Sequence, residues 1–265
     1  FVAGADGPAL ARVAEVAGVV LTRVPRAGLP ALSARIHNEL RRCGGFIAHE
    51  NRAEAEAALA RLGALPYRAP EGTLPFAIDR PTEVAALAAA IDEAQILATF
   101  TALSTSFPNR FHAHLSGTAS ANWIRDLWAG YAAGRPEVTV ELFSHGAITP
   151  QPSVILTIPG TTLSDEVVIL GAHQDSIQSS CWGNPTCDAP GADDDASGIA
   201  TLSEVIRVAL AADFAPQRSV QFIAYAAEEV GLEGSDDIAA TYLAAGTDVV
   251  AVLQQDMTGY NGSVE

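Results

Sequence analysis

Hard oxygen and imidazole donors are concentrated in four short patches of the second half of the chain. The patches stand where apolar, strand-like runs end or where a helix begins. They are His173 with Asp175, the run Asp193 to Asp195, Glu228 with Glu229, and Asp256. Strand ends of an open α/β sheet share one rim, so these donors are expected to converge. Imidazole and carboxylate groups are common metal ligands, and the layout predicts a two-metal hydrolase site.

The first patch follows an apolar run that reads as a buried strand. Val167–Gly171 leads into His173, whose imidazole should emerge at the carboxyl end of that strand. Asp175 can accept the second ring N–H, which fixes the tautomer that leaves the other nitrogen for a metal. Taken alone, this patch fits a structural histidine beside a turn aspartate better than it fits a metal ligand.

Three consecutive aspartates, Asp193 to Asp195, stand directly before an amphipathic helix. One of them is expected to cap that helix, because carboxylates at this place accept its free N–H groups. A cap needs one carboxylate, and three adjacent ones repel each other unless a cation lies among them. We therefore expect one aspartate to bridge two metal ions.

Glu228 and Glu229 follow the apolar run that ends at Tyr225, and Asp256 follows the run that ends near Leu253. An acidic first helical turn and a turn aspartate are the ordinary alternatives. Neighbouring side chains diverge, however, so one glutamate can bind a metal while the other acts as general base on the attacking water. Together with Asp256, four donor patches are then expected on one rim.

Composition excludes some classes of partner. The 265 residues carry a net charge of -16, which argues against a nucleic-acid backbone or an anionic membrane as partner. No apolar run reaches the ~18 residues of a membrane-spanning helix.

Cys181 and Cys187 are close enough in sequence to form a local disulfide, and Cys43 is then the remaining cysteine. A local disulfide favours an oxidising compartment, so we expect a secreted or periplasmic protein.

The order of elements predicts two parts. Residues 1–65 read as a small α+β unit with a strand near Val19–Val24, and residues 66–81 as a proline-rich linker. From residue 82 to 265, strands alternate with helices. This predicts an α/β fold, a three-layer α/β/α sandwich around a mostly parallel mixed sheet. Asp92 is expected to cap a helix.

Three further expectations concern a helix face, a strand and the other histidines. The stripe Trp123, Leu127 and Tyr131 is predicted to face the core. The last strand, Val249 to Leu253, is so apolar that helices are expected to cover both of its faces. The remaining candidates are predicted to be surface histidines without a catalytic role; they are His112, His114 and His145.

Longer stretches around the patches resemble the bacterial secreted leucyl aminopeptidases with a co-catalytic pair of zinc ions. The resemblance runs from about Arg80 to the end of the chain. It includes Pro108–Phe111, Ala189–Gly191 leading into the aspartates, and Tyr225–Ser235. It implies the same α/β/α sandwich and the removal of N-terminal, preferentially large apolar residues from peptides. It also implies a cis peptide bond between Asp194 and Asp195.

The resemblance implies a role for each predicted site residue, in a site that holds two Zn²⁺ when complete. His173 and Asp256 would hold one zinc ion, Asp194 would bridge both ions, and Glu229 would hold the other. Glu228 would be the general base, and Asp175 would support His173. Peptides with a free N-terminus are the expected partners of a monomeric enzyme.

Two expectations concern the ends of the chain. Residues 1–65 are similar to the pro-region of relatives, which implies a zymogen whose first unit assists folding or covers the site; the alternative is a constitutive accessory domain. The histidine that the family places on the second zinc would lie beyond Glu265, so we expect the chain alone to bind at most one zinc tightly and to be nearly inactive. The competing interpretation is a catalytically silent binding module on the same fold.

Overall fold

The structure, a computed structural model, describes residues 12–16, 18–25, 28–29, 31–32, 35–36, 46–47, 49, 51–64, 78–178, 184 and 186–260. The chain divides into two compact units, Phe1–Pro81 and Thr82–Glu265, which are taken separately below. Most of the predicted linker, residues 66–77, lies outside the described residues.

The first unit contains a hairpin and a helix among its described residues. Strand β1 (Arg12–Val16) pairs antiparallel with β2 (Val19–Thr22), which agrees with the strand predicted near Val19. Gly18, between them, has a φ of 80°, a conformation that glycine adopts without steric cost. Helix α1 (Arg52–Ala64) buries Leu59.

From Pro81 onward, helices and strands alternate. The helices are α2 (Pro81–Ala89), α3 (Glu93–Ser106), α4 (Leu115–Tyr131), α5 (Gly198–Ala211) and α6 (Glu233–Ala245). The strands are β3 (Thr139–Phe143), β4 (Ser153–Ile158), β5 (Leu163–His173), β6 (Arg218–Tyr225) and β7 (Asp248–Gln254). Asp92 caps α3 as predicted, since its side chain accepts a hydrogen bond from the backbone N–H of Ala94 at 2.9 Å.

The five strands form one mixed sheet in the order β3-β4-β6-β5-β7. Strands β6, β5 and β7 run parallel, whereas β3 and β4 are antiparallel to their neighbours. Alternate residues of β4 and β6 pack on opposite faces. Leu156 and Phe222 meet α3, α4 and α5 on one face, while Ile155 and Ile223 meet α6 on the other. The predicted three-layer α/β/α architecture is therefore confirmed.

Helix α4 turns its predicted stripe towards the core. Trp123, Leu127 and Tyr131 are partly buried and pack against the main core, as predicted, while Ile124 and Trp128 beside them are fully buried. The indole N–H of Trp128 donates to Ser203 Oγ at 2.9 Å. An indole with a hydrogen-bond partner can be buried completely.

The prediction for the last strand is wrong. Strand β7 lies at the edge of the described sheet and pairs with β5. Its Val250, Val252 and Leu253 are 45%, 60% and 57% exposed. Apolar composition alone thus did not distinguish a covered strand from this edge strand. No single described helix is long and apolar enough to cross a membrane; α2 and α3 satisfy that test only as a pair, bent by 61°.

Candidate metal centre

Sheet register brings three of the four donor patches to one rim. In the parallel pair β5–β6, His173 lies opposite Tyr225, three residues before Glu228. In the pair β5–β7, Gly171 lies opposite Gln254, two residues before Asp256. The parallel strands therefore end together, and the residues that follow them face a common space.

The donor atoms meet around the imidazole of His173. Its Nε2 lies 2.9 Å from Asp194 Oδ1, 3.9 Å from Asp256 Oδ1 and 4.0 Å from Glu228 Oε2. One donor atom each from His173, Asp194 and Asp256 lie within 4.8 Å of one another. His173 is fully buried, while the two aspartate side chains are about a quarter exposed. One cation could therefore be held between them and remain accessible from solvent.

The fourth patch reaches the rim through the aspartate turn, Ala192–Ser197. The peptide bond between Asp194 and Asp195 is cis, as the resemblance implies. The three aspartates have different contacts: Asp193 accepts a hydrogen bond from Gly259 N at 2.9 Å, Asp194 faces His173, and Asp195 accepts one from Gly198 N at the start of α5. Asp195 is therefore the expected helix cap.

Two fully buried carboxylates hold the backbone of the donor segments. Asp175 accepts hydrogen bonds from the N–H groups of Glu228 at 3.0 Å and Glu229 at 3.2 Å, and its Oδ1 lies 3.4 Å from Nδ1 of His173. At that distance Nδ1 of His173 forms no hydrogen bond among the described residues, so the support of His173 by Asp175 stays a prediction.

Asp195 likewise holds the backbone of other segments of the site. It accepts hydrogen bonds from the N–H groups of His173 at 3.2 Å and Met257 at 3.3 Å, besides that of Gly198. Sequence reasoning assigned Asp195 no role beyond possible capping. The only hint in the sequence was the run of three adjacent aspartates, one more than a helix cap and a bridging ligand account for.

Glu228 and Glu229 are buried although both are acidic. They are 7% and 4% exposed, and the turn that holds them begins at Ala227, which has a φ of 53°. Among the described residues, neither Glu228 Oε2 nor Glu229 Oε2 has a hydrogen-bond donor. A buried carboxylate oxygen without a donor requires a proton or a cation to compensate for its lost hydration.

The pKa values show that the site disfavours the ionised form of the buried carboxylates and favours the charged form of His173. Burial raises the pKa of Glu228 to about 7 and that of Asp195 to about 7. Burial and the negative charge of Asp194 hold the pKa of Glu229 well above its ordinary value. Burial opposes protonation of His173, but attraction to Glu228, Asp175 and Asp194 raises its pKa well above 6.5.

Counting charges tests whether metal ions fit the site. Six carboxylates cluster here, belonging to Asp175, Asp194, Asp195, Glu228, Glu229 and Asp256. Two basic groups that interact with them are His173 and Arg110. With the six carboxylates and Arg110 ionised and His173 neutral, as a metal ligand must be, five negative charges remain, an excess that two divalent cations would largely offset. The imidazole and carboxylate donors also match the ligands that zinc takes in proteins.

The remaining histidines correct the sequence analysis. His112 is buried, with its Nδ1 3.0 Å from Thr149 Oγ1, and His145 is also buried. His114 lies at the start of α4, where its side chain accepts from the N–H of Ser116. The prediction of surface positions is therefore wrong for His112 and His145. The residues next to His112 and His145 in the sequence gave no sign of these tertiary contacts.

His145 joins a serine and an aspartate in an arrangement that resembles a hydrolase triad. Its Nδ1 lies 2.8 Å from Asp237 Oδ2 and its Nε2 lies 2.8 Å from Ser153 Oγ. Ser153 Oγ also accepts a hydrogen bond from Ala226 N at 3.0 Å. Because Ser153 is fully buried within β4, this network braces the segment before Glu228 and does not present a nucleophile.

The predicted disulfide is described at one end only. Cys187 is disulfide-bonded, while Cys43 and Cys181 lie outside the described residues. The pairing of Cys181 with Cys187 therefore stays a prediction.

Comparison with known proteins gives matches over this same region. Residues 153–265 match the family model described as Peptidase family M28. The chain is 37% identical over 195 residues to a leucine aminopeptidase 1 of Paracoccidioides brasiliensis, which covers 71% of this chain and 48% of the relative. The chain thus spans about half the length of that relative.

Solved structures with the same fold cover nearly the whole chain. The LapA aminopeptidase of Legionella pneumophila has a TM-score of 0.75 at 26% identity, covering 95% of this chain and 66% of that one. LapB of the same organism has a TM-score of 0.73 at 27% identity, covering 97% and 68%. The part of this chain that matches Peptidase family M28, residues 153–265, contains all six predicted site residues.

Proposed function

We propose that this protein is a zinc-dependent aminopeptidase that hydrolyses the N-terminal peptide bond of peptides, with a preference for large apolar residues such as leucine. The observation that carries the proposal is the convergence of one donor atom each from His173, Asp194 and Asp256 within 4.8 Å, beside the buried Glu228. The match to Peptidase family M28 supports peptide-bond hydrolysis. The names of the similar leucine aminopeptidases support the preference for leucine.

The proposed metal ligands divide into two sets that share Asp194. His173, Asp256 and Asp194 would hold one zinc ion, and Asp194 and Glu229 would hold the second. When bound, zinc lowers the pKa of a coordinated water and polarises the scissile carbonyl. Asp194 is suited to a shared role because its Oδ1 lies 2.9 Å from Nε2 of His173 and its charge also acts on the buried carboxylate of Glu229.

Glu228 is the proposed general base. Its carboxylate is buried beside His173, and its Oε2 has no hydrogen-bond donor among the described residues, so this oxygen is available to take a proton from a water at the metal. Glu228 would remove a proton from the attacking water and deliver a proton to the departing amine. Asp175 would keep this carboxylate in place through the backbone of the glutamate pair. The acidic rim would also attract the free amino group of the substrate, which favours cleavage at the N-terminus.

The cellular setting and the first unit complete the proposal. A disulfide at Cys187 supports secretion or export to the periplasm, because disulfides persist in oxidising compartments. Residues 1–65 are proposed to act as a pro-region that covers the site or assists folding. Activity before and after a limited proteolytic cut near Pro70 tests the covering role. Equal activity in both samples would reject it.

Metal binding and hydrolysis are tested with separate readouts. Zinc content is measured on the chain of 265 residues after chelation and reloading. Hydrolysis of leucine para-nitroanilide is measured on the full-length protein that the gene encodes. Glu228→Gln should lower kcat by about 10²- to 10⁴-fold, the usual contribution of a general base, with little change in zinc content. Glu137→Gln is the matched control, since Glu137 is a surface residue paired with Arg135.

The outcomes separate the parts of the proposal. Unchanged turnover in Glu228→Gln would remove Glu228 as the base. Failure of the wild-type chain to retain any zinc would remove the metal site. Zinc retention without hydrolysis of any N-terminal amino-acid anilide would favour the catalytically silent binding module instead.

A further inference from the structure

A fully buried arginine lies beside the proposed zinc site. Arg110 has no exposed surface, yet it carries a charge that is costly to bury. Burial lowers its pKa to about 10, while attraction to Asp175, Asp195 and Asp194 acts in the opposite direction. The guanidinium therefore stays positively charged at neutral pH, inside the carboxylate cluster described above.

The hydrogen bonds of the Arg110 side chain end on backbone carbonyl groups. Nε donates to Gln174 O at 2.9 Å, and Nη2 donates to Gly191 O at 2.9 Å. Nη1 donates to Pro190 O at 2.6 Å and to Leu103 O at 3.1 Å. Three separate chain segments are thus fixed by one planar group. Lysine could not reproduce this pattern, because its ammonium is a point charge without the fork geometry.

These carbonyl groups belong to the segments that carry the proposed ligands. Gln174 directly follows His173, and Gly191 precedes Asp194 by three residues. The backbone of Arg110 adds a second link, because its N–H donates to Ser176 Oγ at 3.1 Å and that hydroxyl donates to Ala189 O at 2.6 Å. Arg110 therefore ties the end of β5 to the approach to the aspartate turn by two routes.

The same geometry leaves the carboxylates available. Since the guanidinium donors are used on carbonyl groups, Arg110 acts on the acidic side chains by charge across space and does not occupy their oxygens. An arginine that formed a bidentate pair with Asp194 or Glu229 would compete with a cation for the same atoms. Arg110 lowers the repulsion between these carboxylates while their oxygens remain free to bind metal.

We propose that Arg110 is a positioning residue of the zinc site, which sets the spacing between His173 and Asp194 and holds the carboxylate cluster together before metal binds. This inference rests on the proposed zinc site. Residues outside the ligand shell that orient metal ligands typically change metal affinity by about 10- to 100-fold when they are replaced. An arginine that served only the stability of the core would leave the affinity of the folded protein unchanged.

The test compares zinc affinity among variants of the chain, measured by competition with a chromophoric chelator at pH 7.5. Arg110→Lys, which keeps the charge but loses the fork, should weaken zinc binding by about 10- to 100-fold. Trp128→Phe is the control for buried polar contacts, because it removes the hydrogen bond to Ser203 in the helix layer. It should lower the melting temperature, followed by circular dichroism, and change zinc affinity by less than about 2-fold.

A second variant keeps the inference testable if Arg110→Lys does not fold. Ser176→Ala breaks the route from Arg110 to Ala189 and should weaken zinc binding by about 3- to 10-fold, a smaller loss because the fork remains. Zinc affinity within about 2-fold of wild type in a folded Arg110→Lys chain, or in Ser176→Ala if Arg110→Lys does not fold, would overturn the positioning role and leave the zinc site standing. Absence of zinc binding by the wild-type chain would instead remove the site itself.

Discussion

Replacing Glu228 by glutamine in the metal-free protein should change how stability depends on pH. The folded protein holds the pKa of Glu228 at about 7 because the side chain is buried, against an ordinary value of 4.5. Protonated Glu228 is therefore favoured by folding. Its contribution to stability is complete below pH 4.5 and is lost as pH rises through 7, since the folded state binds more protons than the unfolded state in that range. Glutamine cannot ionise and does not show this loss.

The size of the effect follows from the two pKa values. Moving from 4.5 to about 7, at 1.36 kcal/mol for each pKa unit, corresponds to about 3 kcal/mol. Relative to the wild type, Glu228→Gln should therefore gain about 3 kcal/mol in free energy of unfolding between pH 4.5 and pH 8. A difference of this size is a large part of the stability of an ordinary domain.

Urea unfolding in the presence of a chelator measures this difference. Tryptophan fluorescence is a suitable probe because all three tryptophans, Trp123, Trp128 and Trp182, belong to the second unit. The free energies of unfolding of both proteins are compared at pH 4.5 and pH 8. A stability difference that stays constant within about 1 kcal/mol would refute the reasoning from buried ionisation.

Bound zinc should abolish the same pH dependence. A nearby divalent cation favours the ionised carboxylate and so lowers the pKa of Glu228. With zinc at saturation, the stability difference between Glu228→Gln and wild type should change by less than about 1 kcal/mol across the same pH range. Persistence of the full change in zinc would place the ion away from Glu228.

Two further predictions concern the scaffold, and both are measured by urea unfolding with the same fluorescence probe. Leu103→Ala should lower the free energy of unfolding by about 2–5 kcal/mol, because Leu103 is fully buried between α3 and the sheet layer; a loss below about 1 kcal/mol would contradict that packing. Asp92→Ala should cost about 1 kcal/mol by removing the cap of α3, whereas Leu97→Ala, at an exposed position of the same helix, should stay within about 0.5 kcal/mol of wild type.

The positions of the donors were predictable because they depend on local pattern and strand direction. Val167–Gly171 is an apolar run that can only be a buried strand or a short buried helix, and His173 follows it directly. Parallel strands end on one rim, so the sequence order of strand ends was enough to bring His173, Glu228 and Asp256 together. The structure places a carboxylate oxygen of Glu228 and one of Asp256 within 4.0 Å of Nε2 of His173.

The contacts that support the donors could not be predicted in the same way. Arg110 bonds to Gln174, 64 residues away, and Asp195 bonds to Met257, 62 residues away. Such pairs depend on where loops cross, and no periodicity in the sequence encodes this. In α4 the apolar stripe was enough to predict a core-facing side, but the hydrogen bond of Trp128 with Ser203, 75 residues away, was not predictable from it.

Backbone hydrogen bonding divides the carboxylates of the site into two classes that their sequence does not distinguish. Asp175 and Asp195 accept backbone N–H groups from neighbouring donor segments, so their oxygens are used to hold the structure. Glu228 and Glu229 each keep an oxygen without a donor among the described residues, although burial makes that costly. A fold that needed these glutamates only for packing would gain stability by replacing them with glutamine or an apolar residue. Two ionisable residues at positions where they cost stability in the metal-free protein are expected when a cation compensates them in the working state. Metal binding and pH-dependent stability therefore test the same site from two directions.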